Sequence, residues 1–321
     1  MHSPAEAVHW LGAMQAQEYA EAKWSIAERL DGCTDADVEE AFARGEILRT
    51  HLMRPTWHFV TPADIRWMLR LTAPRVHAAN RYSYRKFELS DDTLERAHEV
   101  IAAALADEEP KTRPELAGAL AAAGIVADGL RLGYILMHAE LEELVCSGPR
   151  RGKQHTYARF ASRVPETPEL TRDEALAELA LRFFSSRGPA TERDFSAWSG
   201  LTVTDAKAGR AMVVGRLDSG ADEGTSAPGA FLIPMYDEIG ISYKDLRMVL
   251  ARQPPREGML SRPIVIDGLT VGSWKRKLTR QAVLIEATLF TELSAAETSA
   301  LEAVAERFGR FMELPATLET S

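Results

Sequence analysis

Apolar positions along this chain recur with helical spacing in blocks, and between several blocks the spacing drops to the alternation of a strand. The change is sharpest between residues 112 and 157. Thr112-Arg113-Pro114-Glu115 has the form of a capping box with proline in the first turn, and Gly124 closes the helix it opens. After Asp128, the residues Leu130, Tyr134, Met137, Leu141 and Leu144 fall on one face, which predicts a second helix packed by that face. Leu144-Val145-Cys146 and Thr156-Tyr157-Ala158-Arg159-Phe160 then read as two strands, joined by the tip Gly148-Pro149-Arg150-Arg151-Gly152-Lys153-Gln154-His155. Two short helices followed by a hairpin outline a winged helix.

The outline recurs on either side. A helix from Pro4 to Met14, with Val8, Leu11 and Trp10 inward, leads into Gln15-Ala16-Gln17, whose two amides share a side if the segment is extended. Helices follow over Ala20 to Leu30 and from Thr34 or Asp35, the latter burying Val38, Ala41 and Phe42 before Gly45 stops it. The strand-like runs Ile47 to Arg54 and Thr56 to Val60, broken at Pro55, precede a helix carrying Ile65, Met68, Leu69 and Leu71. Ser90 to Ala106 reads as a regular helix with Leu94, Ala97, Ile101 and Leu105 inward. A capping box at Thr171 and Glu174 leads the stripe Leu176, Leu179, Ala180, Phe183 and Phe184, and Thr191 to Trp198 and Thr202 to Val214 give helix, turn and helix a third time about Gly200.

Leu217 to Gly229 reads as a loop, Phe231 to Pro234 as a strand, Pro263 to Trp274 as a hairpin turning at Asp267-Gly268, and Ala282 to Phe290 as a strand. A last helix begins at Ser294 and Glu297 and buries Leu301, Val304, Phe308 and Met312. The expected class is α+β, mainly helical, with a repeated module and a mixed α/β C-terminal part. The expected divisions are residues 1–87, 88–165 and 166–321.

With 321 residues, 45% of them hydrophobic, the chain can bury a sizeable core. It has no run of about 18 apolar residues, and Met1-His2-Ser3-Pro4 lacks the pattern of a signal peptide, so neither a membrane span nor secretion is expected. Cys33 and Cys146 show no metal or redox spacing, which points away from a disulfide framework or a cysteine zinc site and makes a reducing cytoplasm the simplest home. A formal charge of −9 argues against a nucleic-acid partner, but the distribution is lopsided. Residues 48–86 carry a net +7, residues 144–163 a net +5 and residues 243–280 a net +6. Three cations and a histidine in the tip at residues 148–155 repel one another unless an anion comes near, which suits a phosphate-contacting wing.

Familiar catalytic signatures are absent: the chain has no GxSxG, HExxH or GxGxxG. GPRRGK is not a nucleotide loop, because three residues separate its glycines and Gln154 stands where a metal-binding hydroxyl belongs. His51 and His58 flank the strand pair, where structural hydrogen bonding is the commoner role. Asp237-Glu238 and Lys244-Asp245 suit a solvated turn equally well, and Gln15 and Gln17 read alone suit a helix end.

Several of these stretches together resemble the AlkZ/YcaQ-type winged-helix DNA glycosylases. They are Leu11 to Gln17, Arg49 to Val60, Ser147 to Gly152, Pro234 to Glu238 with Tyr243-Lys244-Asp245, and Asp267-Gly268-x-x-Val271-Gly272-Ser273-Trp274-Lys275-Arg276. The resemblance spans nearly the whole chain in order. It implies three tandem winged helices around a C-shaped basic channel and removal of cationic N-alkylated purines from double-stranded DNA, in some members from interstrand crosslinks. It implies catalytic roles for Gln15 and Gln17, and Arg54, His58, Arg150, Arg151, Lys153, His155, Lys244, Lys275 and Arg276 are the expected DNA contacts. Only fourteen residues precede Gln15, fewer than the family pattern has, and Ile239, Ile241 and Leu246 depart from it.

The chemistry agrees with the resemblance. A cationic N-alkylpurine is already a good leaving group, so an enzyme need only position water and stabilise an oxocarbenium-like sugar. The expectation is a monofunctional, monomeric glycosylase with no metal and no cofactor. A non-catalytic winged-helix regulator using the same basic face is the alternative.

Overall fold

The computed structural model describes residues 1–217, 229–244 and 262–321. The expected loop after Leu217, together with Asp245, Leu246, Arg247, Arg252, Arg256 and Glu257 of the last basic segment, lies outside the described residues.

Helix α1 (Pro4–Leu11), capped by Ser3, ends at Gly12, whose φ of 77° turns the chain into strand β1 (Met14–Gln15). Helices α2 (Tyr19–Ala27) and α3 (Asp35–Arg44) follow, the second held by a capping box between Thr34 and Asp37 and closed by Gly45. Strands β2 (Leu48–Leu52) and β3 (Arg54–Val60) complete a three-stranded sheet in the order β1-β3-β2. Val8, Leu11, Met14, Ile26, Phe42 and Phe59 form the core beneath it.

The hairpin turns at Met53, which has φ of 61° and whose N–H is taken by the Thr72 hydroxyl at 3.2 Å. The expected break at Pro55 is therefore corrected. Pro55 lies within β3 where the register slips between His51 and Leu52, so its missing N–H costs no ladder bond.

The long helix α4 (Ile65–Lys86) leads to a second run with the same element order. Helix α5 (Asp91–Ala104), strand β4 (Lys111–Thr112), helices α6 (Arg113–Ala122) and α7 (Gly129–Leu141), and strands β5 (Val145–Arg151) and β6 (Gln154–Arg159) give the sheet β4-β6-β5. The Thr112–Glu115 capping box forms as its sequence requires. Helix α7 packs by most of the expected face, with Met137 and Leu141 buried and Tyr134 against the core, but Leu130 is 68% exposed, and Leu132, Ile135, Leu136, Ala139 and Glu140 are buried as well. The helix is clamped on two sides, by α5 and by α4 with β2, so no single stripe describes it. Trp10, expected inward, is 48% exposed on α1.

After the short α8 (Phe160–Arg163) come α9 (Arg172–Ser186), α10 (Glu192–Ser199) and α11 (Val203–Val213), each opened by a threonine capping box. Strand β7 (Ala230–Leu232), the turn-length helix α12 (Glu238–Ile241), strands β8 (Pro263–Ile266), β9 (Leu269–Leu278) and β10 (Val283–Leu289), helix α13 (Ala295–Phe311) and strand β11 (Ala316–Thr320) complete the described chain. The sheet order is β11-β10-β9-β8-β7, with β11 parallel to β10 across α13. The β8–β9 turn sits at Asp267-Gly268, both with positive φ, as a two-residue hairpin demands.

This sheet packs on the back of α2. Trp24 meets Phe308 at 4.9 Å between ring centres and donates its indole N–H to Leu232 O at 2.8 Å. The α9–α11 helices close on the first hairpin from another side. Gly200, with φ of 73°, lies so near it that a Cβ would come within 2.3 Å of Met53 O. No described helix is long and apolar enough to cross a membrane.

Candidate active site

Strand β1 is short, but bonds on both sides hold it extended. Gln15 pairs with His58 and Met14 with Phe59, while Ala16 donates its N–H to Trp57 O at 2.7 Å and accepts from Arg49 Nε at 2.9 Å. Met14 and Ala16 are buried, and the intervening Gln15 and Gln17 are half-buried, the alternation a strand imposes.

Arg54, at the start of β3, donates from Nη2 to Gln15 Oε1 at 2.9 Å and lies 3.4 Å from His58 Nε2. The hydrogen bond fixes which end of the Gln15 amide is oxygen, leaving its NH₂ and one lone pair without a partner among the described residues. His58 Nδ1 meets Thr56 O at 2.9 Å, so that nitrogen carries the proton and Nε2 accepts. Burial, and then the neighbouring Arg54 charge, hold the His58 pKa well below its ordinary value. The lowered pKa keeps the His58 ring in its neutral form at neutral pH. The Gln17 amide has no hydrogen-bond partner among the described residues.

Beneath Gln15 is a buried carboxylate that sequence reading left as a possible solvated turn. Glu238 Oε1 accepts the Gln15 N–H at 2.8 Å, and Oε2 accepts from Arg187 Nη2 at 2.7 Å and Trp198 Nε1 at 2.8 Å. Both Asp237 and Glu238 are buried, 2% and 3% exposed, which overturns the solvated turn. Burial alone would raise the Asp237 pKa, but its two-pronged pairing with Arg29 at 2.8 and 2.9 Å and a hydroxyl bond from Ser25 outweigh this and lower it. Arg187 also donates to Leu11 O at 3.0 Å and lies 4.5 Å over the Trp198 ring. Neither Arg187 nor Trp198 carried a local signal: their partners are about 40 to 176 residues away in sequence.

A second group surrounds Tyr19, two residues after Gln17. Arg150 lies 4.9 Å over its ring and pairs with Glu39 at 3.0 Å, and the His155 ring meets it edge-on at 4.7 Å. Burial, then Arg49, pushes the His155 pKa down to about 4. Arg150 and His155 thus anchor the β5–β6 hairpin to α2 and α3, while Lys153 is exposed at its tip and exposed Arg151 pairs with Glu115 at 2.7 Å. Lys244 and Lys275 are exposed, and Arg276 is tied to Glu21 at 3.0 Å. Lys23 is buried and doubly paired, with Asp35 at 2.7 Å and Glu39 at 3.0 Å, so its amine is not free to attack a sugar. His51 faces Glu140 in the core and stacks on Trp57 at 4.4 Å.

A sequence model described as "DNA glycosylase AlkZ-like" matches residues 8–311, which includes every residue of this site. The chain belongs to the AlkZ-like DNA glycosylase family. It is 26% identical over 313 residues to the "Interstrand DNA cross-link repair glycosylase" of Streptomyces sahachiroi, covering 85% of this chain and 82% of that protein. The solved structure of Streptomyces sahachiroi DNA glycosylase AlkZ superposes with a TM-score of 0.74 at 24% identity, covering 99% of this chain and 94% of that one, and shows a shared fold. In this AlkZ-like chain Gln15, Arg54, His58 and Glu238 meet at β1, with Gln17 two residues on, whereas the hairpin cations lie around Tyr19 and beyond.

Proposed function

We propose that this AlkZ-like protein is a monofunctional DNA repair glycosylase acting on cationic N-alkylated purines in duplex DNA, with Gln15 and Gln17 positioning the attacking water. The observation that carries this reading is the contrast between the two amides: the Gln15 amide is held by Arg54, with its main chain held by Glu238, and Gln17 has no hydrogen-bond partner among the described residues. One amide supplies a fixed reference point, and the other is available to water or substrate. Water oxygen bonds to the anomeric carbon while the glycosidic C–N electrons pass to the purine, which leaves neutral. The proton of the water passes to solvent. Since the base departs without prior protonation, a site built from amides is sufficient.

We read the chain as three winged-helix modules, at residues 1–87, 88–165 and 166–321, around a C-shaped basic channel that admits a monomer onto DNA; the element order shared by the first two runs supports the first two of them. Such a channel suits bulky lesions that cannot be flipped into a closed pocket, interstrand crosslinks included. The cross-link repair named for the Streptomyces sahachiroi relative favours the same extension.

The decisive experiment incubates the protein with duplexes carrying N7-methylguanine, N3-methyladenine or a nitrogen-mustard crosslink and follows alkali-labile sites. Release of the modified base with an intact abasic strand, and no borohydride-trapped adduct, is expected. Tight sequence-specific binding without base release would make the chain a regulator.

A further inference from the structure

Three imidazoles and a carboxylate converge where α4, α5 and α7 meet, away from the glutamines. Helix α7 carries His138, and Glu142 follows one turn later at its C-cap, a spacing that puts both on one face. Helix α4 brings His77 and α5 brings His98. His77 Nε2 lies 3.0 Å from Glu142 Oε1, and His138 Nδ1 lies 3.2 Å from His98 Nε2. The donor atoms of His77, His138 and Glu142 all fall within 4.8 Å of one another.

We propose that His77, His138 and Glu142 bind a divalent first-row transition-metal ion, with Zn²⁺ best matched to the donors and His98 beside His138. Imidazole nitrogen and carboxylate oxygen are the ligands such ions take, at about 2.0 to 2.2 Å, which sets tetrahedral edges of roughly 3.3 Å. The His77–Glu142 edge, at 3.0 Å, is already near that length, and Glu142, half exposed at a helix end, can rotate toward an ion.

The hydrogen bonding of His77 favours the same conclusion. Its Nδ1 meets the Tyr84 hydroxyl at 3.0 Å, the outer contact that orients a ligating imidazole. Its Nε2 is buried and has no aligned hydrogen-bond partner, although a carboxylate oxygen is close. A cation between the two would satisfy both. An open groove of about 350 Å³, lined by Leu69, Pro74, His77 and Glu142, gives an ion a path from solvent. Cysteine spacing in the sequence offered no hint of this site, because its donors come from three helices and none is a thiol. A bound ion would tie α4, which leads out of the first sheet, to the helices of the second run.

The test uses the untagged full chain, stripped with a chelator and titrated with Co²⁺ and then Zn²⁺. One Co²⁺ per chain with visible ligand-field bands is expected, displaced by Zn²⁺, with Tm raised roughly 5 °C at a hundredfold excess over Kd. His77→Asn combined with Glu142→Gln should abolish the bands, whereas His2→Asn with His9→Asn should keep them. Glu142→Gln alone, at a half-exposed helix end, provides a folded variant with weakened binding if the double change does not fold. Absence of saturable Co²⁺ uptake by folded protein, or uptake unchanged by Glu142→Gln, would overturn the site.

Discussion

Glu238 accepts the main-chain N–H of Gln15 at 2.8 Å across 223 residues of sequence, so the α12 turn holds the backbone of the glutamine strand. The same carboxylate neutralises buried Arg187. Replacing Glu238 with alanine strands that guanidinium and should cost about 3 to 5 kcal/mol. Glu238→Gln keeps an acceptor for Gln15 but loses the charge, so it should destabilise less and retain more base release. Urea unfolding alongside single-turnover rates will check the order; equal losses in both variants would show that charge alone matters.

Gln15→Ala and Gln17→Ala should each slow base release by something like 10- to 1000-fold with DNA affinity nearly unchanged, since neither amide carries charge. The rate should be flat from about pH 6 to 8. Glutamine does not titrate, and His58 is held neutral by burial and Arg54 through that range. A slope that vanishes in His58→Ala, with the glutamine variants still active, would mean the histidine is the base.

Arg54→Met should release the Gln15 amide and slow turnover by roughly 10- to 100-fold, the scale of a lost positioning contact. The Gln15–Arg54 bond also predicts coupling: in Gln15→Ala the further change at Arg54 should cost much less, which a double-mutant cycle would measure.

Much of this architecture was readable locally. The capping boxes at Thr112, Thr171 and Ser294, the glycine stop at Gly45 and the Asp267-Gly268 turn all formed where short-range chemistry requires them. The parallel strand β11 was not anticipated, because its pairing with β10 depends on the return path through α13. Leu130 was misplaced for a related reason: periodicity describes a helix packed on one side, and α7 is clamped on two. In the candidate site, Gln15, Gln17, Arg54 and His58 were on the page from sequence. Glu238 was read only as part of a turn and a family stretch, and Arg187 and Tyr19 carried no signal, since only tertiary folding brings them to β1 and the β5–β6 hairpin.

At the wing, Lys153 and Arg151 are exposed, whereas Arg150 is spent on Glu39 and Tyr19. Neutralising Lys153 and Arg151 together should flatten the dependence of log affinity on log salt by roughly one to two units. Arg150→Gln should leave that slope nearly alone and lower stability instead. A slope change confined to Arg150→Gln would reverse the assignment.

Glu28 is buried where α2 meets β7, accepting Leu232 N–H at 2.9 Å. Burial, reinforced by the Asp237 charge and partly offset by Arg29, pushes its pKa up to about 8. Because the folded pKa lies above the unfolded one, the carboxyl favours folding fully below about pH 4 and loses that contribution as pH rises toward 8. Glu28→Gln should therefore gain roughly 1 to 3 kcal/mol on the wild type between about pH 5 and pH 8.5. Urea midpoints at the two pH values will show it; parallel shifts would place the titration elsewhere.

The close approach of Gly200 to Met53 leaves no room for even a methyl group between α10 and the hairpin tip that carries Arg54. That side of the glutamine strand works as a fixed anvil. On the proposed glycosylase reading, the bending needed to seat different lesions would fall to the DNA rather than to this part of the protein.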